Sequence, residues 1–312
     1  MLISRRKLPD VNYSENNSVS IDLPRIYPYH ALNCRLTGTV TVGTADATAV
    51  VDRAPFGLIK KITIIANGKD VIKSLSGKDL ATLAKINHRT APQLTAPGVS
   101  VGAQTFVAEF PIDFARYHSK QPLDTLLMSA NLSTLQLVVD WGTGSDILTP
   151  DTTTTLVFSS TKLSIHSVET VPNLDGLKPL LNKEYPIEQE VTATSSEFQI
   201  DLPVGNSFSM LTFIATDAGV RQNDIINKIT IKSGQEIFFS MDANEIRQEN
   251  KQDFEIETLD DGIYVVNFTK YGSLADVLPV QKANELLAVL DVTIGSGTTL
   301  IRTLTQEIIT PR

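Results

Sequence analysis

The chain has 312 residues, 42% hydrophobic and 20% charged, the composition of a folded protein. Its formal net charge of -8 argues against broad nucleic-acid binding, which needs a basic face to displace phosphate counterions. The single cysteine, Cys34, excludes an internal disulfide, and no run reaches the ~18 apolar residues of a membrane-spanning helix.

The opening Met1-Leu2-Ile3-Ser4-Arg5-Arg6-Lys7 lacks the apolar stretch of a signal peptide. It places Leu2 and Ile3 beside the one dense basic cluster near a terminus, Arg5, Arg6 and Lys7. Such a segment either touches anionic lipid head groups, each cation contributing on the order of 1 kcal/mol, or is a solvated tail. These five residues are the candidate membrane contact. Strand signals then dominate. Ser20-Ile21-Asp22-Leu23-Pro24 is followed by a strand containing Cys34, where a buried, inert thiol is expected. Val40-Thr41-Val42 is β-branched, and Ile62-Thr63-Ile64 alternates as a half-buried strand does. Asn67-Gly68 is a hairpin turn, because both residues tolerate positive φ. Leu80, Leu83 and Ala84 predict a helix over 76–86. A strand over 104–110 and a short helix over 123–128 follow. Leu156-Val157-Phe158 is a further strand, and alternation over 163–168 puts His166 on the solvent or interface side.

Residues 169–189 carry Pro172, Pro179 and Pro186 and have weak periodicity, which predicts a linker that cannot act as a central strand. Beyond it the landmarks return in order. Gln199-Ile200-Asp201-Leu202-Pro203 answers Ser20 to Pro24, and Ile225 to Ile231 answers Leu58 to Ile64. A helix over 242–249, with a capping-type Asp242 and Glu245, answers the first helix. Asp261-Gly262 reads as a hairpin turn, and a short helix is expected over 274–278. Tyr264 to Phe268 answers Phe106 to Phe110, and Leu286 to Asp291 answers Leu135 to Asp140. Four paired landmarks predict two copies of one β domain: 1–168, a linker 169–189, and 190–312. The fold class is all-β, and about eight strands per copy suit a sandwich or jelly roll with short helices in the loops. The first copy is longer, mainly over 90–102 and 142–155.

No catalytic or metal site emerges. Gly98-Val99-Ser100-Val101-Gly102 matches a nucleophile elbow in letters, but it follows prolines and precedes a strand where the elbow needs a strand and then a helix. Gly68-Lys69 and Gly77-Lys78 lack the rest of a phosphate loop, while Gly142-Thr143-Gly144 and Gly295-Ser296-Gly297 read as turns. His30, His88, His118 and His166 are isolated, so no transition-metal spacing exists. Asp260-Asp261, or Asp146 with Asp151, reads as a solvated turn rather than a Ca²⁺ loop. Trp141, at a strand end, is either a sugar platform or an ordinary core-edge residue. The Asn-x-Ser/Thr sequences at Asn12, Asn16, Asn131 and Asn267 read as chance matches. No cofactor is expected.

Several segments also carry a likeness. Leu8-Pro9-Asp10-Val11 with Ser18 to Pro24, the run Ile59 to Lys69 continuing through Lys73 to Leu80, and Asp201-Leu202-Pro203-Val204-Gly205 resemble the corticovirus-type major capsid protein. The wider group is the double jelly-roll major capsid proteins of tailless icosahedral viruses with an internal membrane. The resemblance implies two upright eight-stranded jelly rolls per subunit, a homotrimer of pseudo-hexagonal outline, and no catalysis. It implies contact with neighbouring capsomers and with other capsid and vertex proteins, a place in the virion, and synthesis in the host cytoplasm. Contact with the internal membrane would fall to Leu2, Ile3, Arg5, Arg6 and Lys7, and no direct nucleic-acid binding is expected. A minor capsid or spike protein, or a carbohydrate-binding β sandwich, is the alternative. The loops are longer than in the corticovirus pattern.

Overall fold

A computed structural model describes residues 2–116, 120–171, 179–281 and 283–309. The chain divides into two compact units, 1–117 with 122–179, and 118–121 with 180–312. The first holds strands β1 (Leu2–Lys7), β2 (Ser18–Asp22), β3 (Tyr29–Gly43), β4 (Ile59–Ala66) and β5 (Asp70–Leu75), then helix α1 (Gly77–His88). After it come β6 (Gly102–Asp113), β7 (Leu135–Trp141) and β8 (Thr155–Val171). The second unit holds β9 (Leu181–Val191), β10 (Ser195–Asp201), β11 (Ser207–Asp217), β12 (Ile226–Ser233), β13 (Glu236–Asp242) and α2 (Ala243–Asp253). It closes with β14 (Ile263–Asn267), β15 (Leu287–Val292) and β16 (Thr299–Ile309).

Pairing in the first unit runs β1-β8-β3-β6 in one sheet and β2-β7-β4-β5 in the other, all antiparallel. In the second it runs β9-β16-β11-β14 and β10-β15-β12-β13. Counted from each unit's first strand, both are 1-8-3-6 and 2-7-4-5, the two four-stranded sheets of a jelly roll. Leu58–Ile64 and Ile225–Ile231 therefore occupy the same topological position, entering the fourth strand of each unit.

Alternation puts one face of each strand inside. In β7, Leu135, Leu137, Val139 and Trp141 are buried, and in β15 Ala288, Leu290 and Val292 are. The repeated Asp-Leu-Pro has a repeated geometry. Leu23 N–H donates to Leu135 O at 2.8 Å, and Leu202 N–H donates to Leu286 O at 2.9 Å. Both leucines are buried, and the proline that follows has no N–H to extend the ladder. Asn67 and Gly68, at φ 53 and 75, form the tight turn between β4 and β5. Helix α1 starts with a capping box, in which Ser76 Oγ accepts from Asp79 N–H and Asp79 Oδ2 accepts from Ser76 N–H.

Four expectations change. The 169–189 segment is strand at both ends, since β8 runs to Val171 and β9 starts at Leu181, and 172–178 lie outside the described residues. Pro186 sits inside β9, where it lies opposite Leu304 of β16. Asp261-Gly262 is no hairpin: Gly262 (φ 66) leads into β14, which pairs with β11. A Cβ there would lie 2.4 Å from Ala215 O, so only glycine fits. Asp242 occupies the N-cap of α2 without a side-chain cap bond, and that helix is held by Ala243, Ile246 and Asn250, all buried. The short helices are 3₁₀ turns, Pro122–Thr125, Ser129–Asn131 and Leu274–Asp276.

Leu23→Ala and Leu202→Ala remove equivalent core side chains. Each is expected to lower unfolding stability by about 2–4 kcal/mol, with the two losses similar, as read by urea titration.

Candidate functional site

The N-terminal segment is a strand and not a tail. Leu2–Lys7 pairs with β8 from Leu2↔Val171 to Lys7↔His166. Within it, Arg6 Nη2 reaches both carboxylate oxygens of Glu169, at 2.7 and 3.0 Å, and the Glu169 side chain is 2% exposed. A buried carboxylate needs such a partner, because desolvation without one costs several kcal/mol. Lys7 Nζ lies 3.7 Å from Asp10, whose carboxyl is held below its ordinary range first by the hydrogen bond from Lys162. Of the five candidate contact residues, Arg6 is thus engaged internally and Lys7 shares a carboxylate. Leu2 (66%) and Ile3 (50%) are exposed, as is Arg5.

The topology assigns these residues to one end of their unit. Loops 23–28, 67–69 and 122–134 gather there, and loops 8–17, 44–58, 76–101 and 142–154 gather at the other. Leu2 starts β1 at the first of these ends. Ile3 pairs with Thr170, whose N–H donates to Pro28 O, and Ile26 in the same 23–28 loop is 59% exposed. Leu2, Ile3 and Ile26 therefore form an apolar fringe at that end. The equivalent end of the second unit exposes Val204, Ile237 and Tyr271. Sequence reasoning missed Ile26, although an apolar residue right after the Asp-Leu-Pro turn was its signal. Glu169 was invisible, because its partner lies 163 residues away.

The remaining candidates resolve into structural roles. Ser100 lies in the loop before β6, where its carbonyl accepts from Gln104 and the next N–H donates to Asp46. No helix follows it, and His118 lies outside the described residues. His30 contacts Thr170 Oγ1, and burial lowers its pKa. His88 Nε2 lies 2.9 Å from Asp113, whose hydrogen bond raises the imidazole pKa. His166 is exposed on β8. Cys34 is buried, and desolvation pushes its thiol far above the ordinary value, which makes it unreactive. Trp141 is 2% exposed and packs edge-on to Tyr13, so it offers no stacking face. Asp260 pairs with Arg221, Asp261 with Arg247, and Asp146 with Lys60. Among the described residues no three His, Cys, Asp or Glu side chains are grouped to hold a metal. An open groove of about 420 Å³ lies where β8 bulges, lined by Tyr13, Phe158 and Lys162 among others.

No protein-family model matches the chain, and no curated protein matches its sequence. Solved structures match over nearly the whole length of both partners. The major capsid protein of Sulfolobus turreted icosahedral virus aligns with TM-score 0.80 at 15% identity, covering 100% of this chain and 98% of that one. The major capsid protein P2 of bacteriophage PM2 aligns with TM-score 0.67 at 14% identity, covering 100% and 98%. This chain has the double jelly-roll fold. The Faustovirus major capsid protein, at TM-score 0.65 and 9% identity, covers 98% of this chain and 90% of its own. At these identities the likeness is one of fold, and it agrees with the strand order derived above.

Arg6 and Arg5 separate a structural cation from a free one. Arg6→Ser leaves Glu169 buried without this partner and is expected to cost about 1–3 kcal/mol, while Arg5→Ser stays within about 0.5 kcal/mol; chemical denaturation of the two variants checks this.

Proposed function

We propose that this chain is a major capsid protein that assembles as trimeric, pseudo-hexagonal capsomers of an icosahedral virus with an internal membrane. The observation that carries the reading is the pair of jelly rolls in one chain, alike in strand order and aligning end to end with major capsid proteins. Two similar barrels per subunit give three subunits six near-equivalent sides, which tile a surface. A tile needs large complementary sides and no reaction centre, so its role is structural and not enzymatic. Its partners are its own copies, neighbouring capsomers and the proteins of the vertices, and its place is the virion after synthesis in the host cytoplasm. The carbohydrate-binding reading loses its platform with Trp141 buried.

The particle interior is the side we assign to the apolar fringe of the first unit. Leu2 and Ile3, with Arg5 beside them, place apolar groups at a head-group boundary and a cation near lipid phosphate. Each contact is weak, and a lattice multiplies it.

Two experiments test these statements. Native mass measurement at micromolar concentration is expected to give three times the chain mass, and electron microscopy of purified particles hexagonal units; a monomer alone overturns the capsid reading. Replacing Leu2, Ile3 and Arg5 together by serine is expected to leave the fold intact by circular dichroism and cut binding to anionic liposomes several-fold at low salt. Equal binding by the variant overturns the membrane contact.

A further inference from the structure

The four-stranded ladders end in β1 and β6, β2 and β5, β9 and β14, and β10 and β13, and of these β1, β2, β10, β13 and β14 have a single strand partner among the described residues. Two of these edges combine exposure with charge. Strand β1, Leu-Ile-Ser-Arg-Arg-Lys, pairs only with β8 among the described residues, and its Leu2 is 66% exposed. Strand β13, Glu-Ile-Phe-Phe-Ser-Met-Asp, pairs only with β12 among the described residues, and its Ile237 is 61% exposed. By contrast β5 buries Lys73 and β9 buries Glu184, at 1% and 4% exposure. A strand edge carries a row of outward N–H and C=O groups that a further strand can satisfy.

We propose that β13 of one copy adds to β1 of a second copy as a parallel strand, and that three such head-to-tail junctions close the capsomer. The proposal rests on the capsid reading and names the contact that reading requires. The two sequences match in one direction. Set parallel, Leu2 falls opposite Ile237 and Ile3 opposite Phe238, while Lys7 falls opposite Asp242. Set antiparallel, the apolar start of β1 meets Asp242 and Lys7 meets Ile237. The regular part of β13 is Phe239–Asp242, since the ladder with β12 shifts between Ile231 and Lys232, and this part faces Ser4–Lys7. Asp242 is exposed at the N-cap of α2 and makes no side-chain cap bond.

Charge also disfavours pairing of β13 with its own copy. Two antiparallel β13 strands set Glu236 against Asp242. An edge that rejects its own copy and accepts a different edge makes a heterologous contact, which closes into a ring when the rotation allows. The backbone bonds supply attachment, and the charges choose partner and direction. Both strands start at the same kind of end, the one carrying the apolar fringe. The lipid contact of Leu2 and Ile3 lies at the strand's starting end and leaves its hydrogen-bonding edge free.

The test is cross-linking of the full chain. With Cys34 buried, the double variant Lys7→Cys with Asp242→Cys is expected, under mild oxidation, to give disulfide-linked dimers and trimers and nothing larger. The pair Leu2→Cys with Asp242→Cys, which reports the antiparallel arrangement, is expected to give none. Separately, Lys7→Glu and Asp242→Lys are each expected to lower the trimer fraction several-fold in native mass measurement, and the two together to restore it. No disulfide in a double variant that is still trimeric overturns the edge pairing and leaves the capsid reading standing. Cross-linking by the Leu2 pair overturns the parallel direction, and a ladder beyond trimer overturns ring closure. A parent chain that is only monomeric overturns the capsid reading itself.

Discussion

The pairing of the first strand of each unit with its last is the constraint on which the rest of the structure depends. Leu2 lies against Val171, and Leu181 against Ile309. Such pairing closes a loop of the whole unit, and its entropic cost must be met before the contacts form. Once it is made, the remaining strands have places, the connections are driven to the two ends, and the sheet edges become the sides of the unit.

Buried carboxylates mark where the closure is held. Glu169 on β8 receives Arg6 from β1. On β16 of the second unit, Glu307 accepts from Tyr185 of β9 and from Asn206. Different residues thus staple the same strand pair in the two units. The loop from β15 to β16 has its own anchor in Asp217, whose carboxylate accepts from Ser296 and Gly297 N–H and from Thr299 Oγ1. The equivalent loop of the first unit uses Asp146, which accepts from Thr143 N–H at 2.8 Å. Charge-assisted bonds of this kind are among the stronger polar contacts, and leaving such a carboxylate unpaired is costly.

The two units are equal in strand order and unequal in loops and edges. The two units share the same eight-strand path, so their sides are alike in outline. Their loops differ, the first unit carrying a small ladder between Val50 and Leu148 and another between Leu94 and Ala108. Their first strands differ as well, one basic and exposed at its start, the other acidic and largely covered.

The duplication was legible in the sequence. Hydrophobic alternation and turn residues are local signals, and Asp-Leu-Pro, Lys-Ile-Thr-Ile and the strand at Leu135 recur because each occupies the same buried place in its unit. The burial of Cys34, the exposure of His166 and the absence of a catalytic setting around Ser100 also followed from local pattern. What failed was whatever depended on a distant partner. Pro186 marked a linker by its own chemistry, yet it lies in a strand, because β16 pairs with it there. Arg5, Arg6 and Lys7 read alike as a basic tail, and only the approach of β8 distinguishes them, by bringing Glu169 to Arg6. Sequence alone determined two β domains, since periodicity and composition are carried by neighbours along the chain. Tertiary structure decided which edges stay open and which charges stay free, since both depend on which strand from far away arrives alongside.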